Sequence, residues 1–181
     1  MELSILDLEK QHLAELLEAI QRCVYFLDAS SRKLSWPLTV DLLETQKKDV
    51  TLFEAMAAIN ERFAKLQDTL ASAMRHACLL SGEPCDSFLK VLSFYEKVGV
   101  LESIESWQLC LTARNLAAHD YDIDYTEIAD HFNSLKTLTP VLYMSAANFY
   151  TYCKEQLNIE SKRVDFQEEF LLIVKTKHED F

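Results

Sequence analysis

Glycine and proline are scarce in this chain, and their scarcity limits the folds open to it. Only two glycines and three prolines occur in 181 residues. Sandwiches and barrels of β-strands need frequent turns, and turns draw heavily on these two residue types. A chain with so few of them runs for long distances without reversing, as helices do. The sequence therefore predicts an all-α fold.

The spacing of apolar residues supports this prediction and places the helices. Apolar side chains recur at steps of three or four along most of the chain, which is the spacing of one helix face. On this basis Leu89, Leu111 and Leu116 are expected to be buried. The pattern predicts four to five main helices, over about residues 6–27, 51–81, 85–98, 103–116 and 125–152.

Local signals refine the helix ends. Thr51 and Glu54 have the spacing of a capping box, which predicts that the second main helix begins at Thr51. Gly82 and Gly99 each follow the last apolar position of a predicted helix, and we expect them to end those helices. Ser103 is expected to cap the helix that follows Gly99.

A chain of this length suits one domain with one sizeable core. Residues 1–158 are predicted to form a single helical bundle, with residues 28–50 as an insertion in which Pro37 suits the start of a short helix. Residues 159–181 are assigned as a C-terminal extension. Its apolar run 170–174 is compatible with a short strand, a short helix or a partner-binding segment.

Charge and cysteine usage limit the partners and the compartment. The formal net charge of −11 opposes general binding of nucleic acid, which relies on clustered lysine and arginine. The five cysteines are widely spaced with no CxxC pair, as expected for reduced thiols in a cytoplasmic protein. No signal sequence or membrane-spanning apolar run is visible, so no membrane association is predicted.

The stretch from Arg114 to Tyr121 contains an unusual group of reactive and polar side chains. Arg114, Asn115, His119 and Tyr121 fall within eight residues at the end of a predicted helix. On a regular helix Asn115 and His119 share a face, whereas Arg114 lies about 140° around from His119. Two copies that meet across a two-fold axis would bring the arginines and histidines of both into one cleft.

These residue types suit cleavage of RNA without a metal or a cofactor. His119 can exchange a proton near neutral pH, and the ribose 2′-hydroxyl supplies an internal nucleophile. Arg114 can hold the phosphate oxygens, and Asn115 can position the phosphate. The alternative is a structural role. Arg114 is the only lysine or arginine between Val98 and Leu135, a segment rich in aspartate and glutamate, and would then be the centre of an ion pair.

The order of these residues resembles a known signature. Arg114-x4-His119-x-Tyr121 has the form of the motif of HEPN-domain proteins of the HepT type. The longer string from Gly99 to Asp122 also resembles the nucleotidyltransferase substrate-binding proteins, in which a glycine turn, a tryptophan and an Arg-Asn-x3-His-x-Tyr segment recur in that order. Arg62-Phe63 is similar to a pair that this family carries upstream.

The resemblance implies a fold and a partner. It implies an up-and-down antiparallel helical bundle that forms a homodimer around the motif, with a small nucleotidyltransferase as partner. HepT-like proteins are metal-independent endoribonuclease toxins, and this implies catalytic roles for Arg114 and His119 and a positioning role for Asn115. Their nucleotidyltransferase antitoxin transfers AMP to the motif tyrosine, here Tyr121.

Two other functions stay open. The first is a non-catalytic subunit that binds a nucleotide or substrate for a two-component nucleotidyltransferase, and the acidic surroundings of the motif favour it. The second is a helical interaction protein without chemistry.

Overall fold

The computed structural model describes residues 4–116 and 124–176, so His119 and Tyr121 lie outside the described residues. The predicted all-α bundle is confirmed, and no strand occurs in these two ranges. Two helices, α2 and α7, add to the five main ones. The helices are α1 Ile5–Ser31, α2 Val40–Thr45, α3 Val50–Leu80, α4 Phe88–Lys97, α5 Ile104–Leu116, α6 Tyr125–Tyr152 and α7 Gln167–Thr176, with a π-helical turn Cys153–Leu157 after α6.

The two longest N-terminal helices, α1 and α3, run antiparallel and pack along most of their length. Near the start of α1, the Glu9 carbonyl accepts a hydrogen bond of 2.9 Å from His76 Nε2, near the end of α3. Near the end of α1, the Phe26 carbonyl accepts one of 3.1 Å from Arg62 Nη1. Of the other helices, α4, α5, α6 and α7 pack on this pair, and α2 packs on α6.

The core is built from large side chains of nearly every helix, and several are almost fully inaccessible to solvent. The predictions for three leucines are wrong. Leu89, Leu111 and Leu116 are 59%, 39% and 61% exposed, because α4 and α5 carry apolar residues on more than one face and only one face is covered. The largest buried side chains include Phe63, Tyr95, Tyr143, Phe149 and Phe170.

The start of α3 differs from the prediction. The helix begins at Val50, and Asp49 rather than Thr51 is its cap. The Asp49 carboxylate accepts a hydrogen bond of 3.1 Å from the Leu52 backbone N–H. An aspartate two residues upstream thus takes a donor that the helix would otherwise leave unsatisfied, and Thr51 becomes part of the first turn.

The start predicted at Pro37 is also wrong. The Leu38 backbone N–H donates to Asn133 Oδ1 at 2.8 Å, and Asn133 Nδ2 donates to the Leu38 carbonyl at 2.9 Å. These two bonds tie the segment to α6. The helix begins later, at Val40, with Thr39 as its cap.

Both glycine terminators are confirmed. Gly82 and Gly99 follow α3 and α4 with φ of +71° and +77°, a region in which a side chain would be strained. The Glu83 N–H then donates to the Cys78 carbonyl at 3.0 Å, and the Val100 N–H to the Tyr95 carbonyl at 2.8 Å. This pattern satisfies carbonyls that the helix ends would leave free.

The C-terminal region contributes to the core through α7. Of the three structures compatible with the run 170–174, the structure contains a helix, which packs against α1 and α6. Phe170 is fully buried there, and Phe166 just before α7 stacks near Tyr25 at 5.4 Å between ring centroids.

The predicted insertion, residues 28–50, starts later than expected, because α1 continues through Asp28 to Ser31.

In the described ranges, no helix is both long and apolar enough to span a lipid bilayer.

Candidate functional site

The first turn of α5, the helix that carries Arg114, is fixed by two polar contacts. The Ser106 N–H donates to Ser103 Oγ at 3.0 Å, which confirms Ser103 as the predicted cap. The Ile104 N–H donates to the carboxylate of Glu96, on α4, at 2.8 Å. An acidic group at a helix N-terminus also complements the helix dipole.

The middle of α5 is anchored to α3. Trp107 is only 3% exposed, and its carbonyl accepts a hydrogen bond of 3.0 Å from Gln67 Nε2. Its ring lies 6.2 Å from that of Phe88. The other polar atom of Gln67, Oε1, is buried without a hydrogen-bond partner among the described residues. The contacts of Trp107 set the position of α5 two turns before Arg114.

Arg114 lies against α3 in the last turn of α5. Its Nη1 donates to Asp68 Oδ1 at 2.6 Å and to the Ala64 carbonyl at 3.1 Å. The Arg114 side chain is 19% exposed, whereas the Asp68 side chain is 61% exposed. The guanidinium is therefore held at the protein surface with one edge towards α3.

This geometry confirms an ion pair at Arg114, as the structural alternative predicts, but with an unexpected partner. The neighbouring acids in sequence suggested a local pair, whereas Asp68 lies 46 residues upstream. A pair with one partner this exposed contributes only about 0–1 kcal/mol. An anion that reached the guanidinium would therefore compete with a carboxylate whose pairing contributes little.

Asn115 is exposed beside Arg114. It follows Arg114 by one residue, about 100° further around α5, and thus lies on the solvent side of the arginine. The predictions for His119 and Tyr121 concern residues outside the described ranges. Of the four predicted site residues, the structure places Arg114 and Asn115 next to each other at the end of α5.

Arg62 of the upstream Arg-Phe pair connects α3 to α1. Its Nη1 donates to the Phe26 carbonyl and to Ser30 Oγ, and its guanidinium lies over the Phe26 ring at 5.3 Å. Phe63 is fully buried. Both residues of the pair thus act in packing.

The surroundings of the motif are strongly acidic. His131 Nε2 lies 2.8 Å from Asn60 Oδ1 on α3, so this histidine is engaged in a helix–helix contact. Within residues 4–116 and 124–176, no three His, Cys, Asp or Glu side chains are arranged to hold a metal ion. The exposed carboxylates that flank the motif in the sequence belong to Glu102, Glu105, Asp124, Glu127 and Asp130.

Sequence reasoning missed two residues that build this site, Gln67 and Asp68. Gln67 lies between Leu66 and Leu70 in the buried stripe of α3 and is 2% exposed, so a polar residue in an apolar stripe was a readable signal. Asp68 lies on the exposed face of α3, where acids are common and carry no such signal.

No protein-family model matches this chain. No curated protein and no solved structure matches it either.

Proposed function

We propose that this chain is a HEPN-type toxin similar to HepT, a metal-independent endoribonuclease that acts in the cytoplasm under the control of a small nucleotidyltransferase. The observation that carries the proposal is the order Arg114-x4-His119-x-Tyr121 in the sequence of an all-α bundle, with Arg114 in the last turn of α5. The antiparallel pairing of α1 with α3 is compatible with the up-and-down bundle of that class.

In the proposed reaction, His119 takes the proton of a ribose 2′-hydroxyl, and the freed oxygen attacks the adjacent phosphorus. The bond from phosphorus to the 5′-oxygen breaks, and that oxygen takes a proton from an imidazolium. The products are a 2′,3′-cyclic phosphate and a 5′-hydroxyl. Arg114 stabilises the charge that develops on the phosphate oxygens, and Asn115 positions the phosphate.

The position of Arg114 supports this role. Its guanidinium is held by α3 and its side chain is still one-fifth exposed, so it is oriented before an anion arrives. A preorganised donor loses less free energy on binding than one that must be ordered.

We further propose that two copies assemble with their motifs together. On the face next to Arg114, about 60° to 120° around the helix from it, α5 exposes three uncharged residues, Gln108, Leu111 and Asn115. Like charges oppose association in a chain of net charge −11, so an uncharged surface beside the motif favours contact with a second copy there. The imidazoles of both copies then supply the base and the acid.

Control by the nucleotidyltransferase would act on Tyr121. The phenol oxygen attacks the α-phosphorus of ATP, pyrophosphate leaves, and the tyrosine carries AMP. The added phosphate places negative charge close to Arg114 and competes there with RNA. The test is incubation of the chain with its nucleotidyltransferase and ATP, followed by mass spectrometry of wild type and Tyr121→Phe.

The test of the ribonuclease is expression without the nucleotidyltransferase. We expect wild type to arrest growth and to cleave RNA in the presence of EDTA, and His119→Ala and Arg114→Ala to lose both effects. The matched control is Arg75→Ala, which removes an exposed arginine of α3. Equal growth and equal RNA integrity for wild type and His119→Ala would contradict the proposal.

A second function, a non-catalytic subunit that binds a nucleotide for the nucleotidyltransferase, is favoured by the ion pair between Asp68 and Arg114 and by the acids around the motif. It predicts intact RNA with wild type. It also predicts that Arg114→Ala weakens the binding of nucleotide by the two-protein complex.

A further inference from the structure

A shallow groove of about 570 Å³ runs along the outer side of α6. Its hydroxyl groups are already used within the helix, because Ser134 Oγ donates to the Asp130 carbonyl at 2.8 Å and Thr137 Oγ1 to the Asn133 carbonyl at 3.0 Å. The Asn133 amide is bound to Leu38. The floor therefore offers few free polar groups. The lining residues are Asp130, Asn133, Ser134, Thr137 and Leu138.

Next to α6 lies α5, which runs antiparallel to it. Cys110 Sγ lies 3.9 Å from the Leu138 carbonyl, and Asn148 Nδ2 donates at 3.3 Å to the carbonyl of Val100, just before α5. Later positions of one helix thus meet earlier positions of the other. In this register the second half of α5 lies beside the groove.

Two exposed leucines, Leu109 and Leu116, lie at the middle and the end of α5. They are 53% and 61% exposed, and their seven-residue spacing puts them on one side of the helix. Trp107 and Arg114, two residues earlier in each case, are buried against or bound to α3. A step of two residues turns the helix by about 200°, so the two leucines lie away from α3. They lie four residues before and three residues after the buried Ala113, and the buried Cys110 contacts α6, so the leucines border the side of α5 next to α6.

The exposed charges beside the groove are mostly acidic, and the one lysine of this part of α6, Lys136, donates to Ser31 Oγ at 2.9 Å and lies over the Trp36 ring. Glu105, Glu127 and Asp130 are exposed on the two helices, and Asp124 is exposed at the start of α6. Arg114 is the only lysine or arginine from Val98 to Leu135, and it pairs with Asp68. An apolar strip beside the groove is thus surrounded by carboxylates.

We propose that the α5–α6 groove is a docking site for a segment of a partner protein that has two apolar anchors and flanking lysine or arginine residues. Leu109 and Leu116 contact the anchors, and the carboxylates attract the basic residues. A second copy at this groove would bring identical acids face to face, and RNA or an anionic membrane would be repelled. The proposal does not rest on the ribonuclease activity.

The probe is a fluorescent 14-residue amphipathic peptide of leucine and lysine, titrated with the full chain at physiological salt. We expect saturable binding that weakens roughly tenfold or more for the double variant Leu109→Ser/Leu116→Ser, because two anchors are removed together. The matched control is Leu171→Ser/Leu172→Ser on α7, with side chains 44% and 63% exposed, and we expect less than a twofold change. A leucine–glutamate peptide is expected not to bind.

Circular dichroism establishes that both double variants are folded. Asp130→Asn separates the charge from the apolar contact, and we expect it to weaken binding by a few-fold. Equal weakening by the α5 and α7 variants would overturn the proposal, as would the absence of saturable binding. A wild-type dimer in sedimentation that Leu109→Ser/Leu116→Ser dissociates would assign the groove to a second copy and also overturn it.

Discussion

At the scale of single residues, Asp68 controls the charge that Arg114 presents to an anion. We predict that Asp68→Asn raises the affinity for a short RNA or for inorganic phosphate several-fold, because the carboxylate that competes for the guanidinium is gone. The free energy of unfolding should change by less than about 1 kcal/mol, since the pair is exposed on one side. RNA titration and urea unfolding measure the two quantities.

Glu61→Gln is the matched control for this prediction, because it removes one exposed carboxylate from the same helix and changes the net charge equally. An equal rise in affinity for Glu61→Gln would show that the bulk field, and not the contact with Arg114, sets anion binding.

The sequence indicated an ion pair at Arg114 but not its partner. A carboxylate of α3 reaches this arginine only because Gln67 and Trp107 fix how α5 sits on α3. Such a contact depends on the relative position of two helices, which local spacing does not contain.

At the scale of the helices, the cap of α3 gives a direct test. We predict that Asp49→Ala lowers the free energy of unfolding by about 1 kcal/mol, because the Leu52 N–H loses its acceptor. Thr51→Ala should change it by no more than a few tenths, since Thr51 lies inside the first turn. Urea unfolding of both variants measures the two changes in free energy. A larger loss for Thr51→Ala than for Asp49→Ala would mean that Thr51 is the cap, as the capping-box spacing predicts.

The contribution of α7 can be measured in the same way. We predict that Phe170→Ala lowers the free energy of unfolding by about 3–5 kcal/mol, because a fully buried phenyl ring leaves a cavity between α7, α1 and α6. Leu172→Ala, at a site 63% exposed on the same helix, should cost less than about 0.5 kcal/mol. Similar small losses for both variants would mean that α7 is dispensable.

Periodicity predicted where helices occur better than which faces are buried. In α3 the apolar residues form one continuous face, and that face is buried. In α5 the apolar residues surround the helix, and Leu109 and Leu116 are left outside because α3, α4 and α6 cover only one side. The short run in α7 fits helix and strand alike, and only its packing on α1 and α6 decides.

At the scale of the whole molecule, buried thiols and phenols limit stability at high pH. Burial raises the pKa of the Cys110 thiol to about 12 and raises the pKa values of Cys153 and Tyr143 as well. The unfolded chain releases these protons at lower pH than the folded chain. The contribution of these buried neutral groups to the free energy of unfolding is therefore complete below the pKa of the unfolded chain, about 8.5 for a thiol. It is lost as pH rises towards the pKa of the folded chain.

We predict that the free energy of unfolding falls steadily from pH 8 to pH 10, by roughly 2 kcal/mol for Cys110 alone. Urea unfolding at several pH values measures the slope. Cys110→Ala should be less stable at pH 8 but should show a shallower decline. An unchanged slope in that variant would mean that other groups dominate.

The contact between Trp107 and Gln67 gives the molecule a built-in optical probe of its candidate site. The indole of Trp107 is enclosed, whereas the other tryptophan, Trp36, is half-buried and donates to the Ser31 carbonyl at the far end of α1. With Trp36 replaced by phenylalanine, the emission wavelength reports the environment of α5 alone. A shift to longer wavelength would register a loosening of that helix from α3 before the bundle as a whole unfolds.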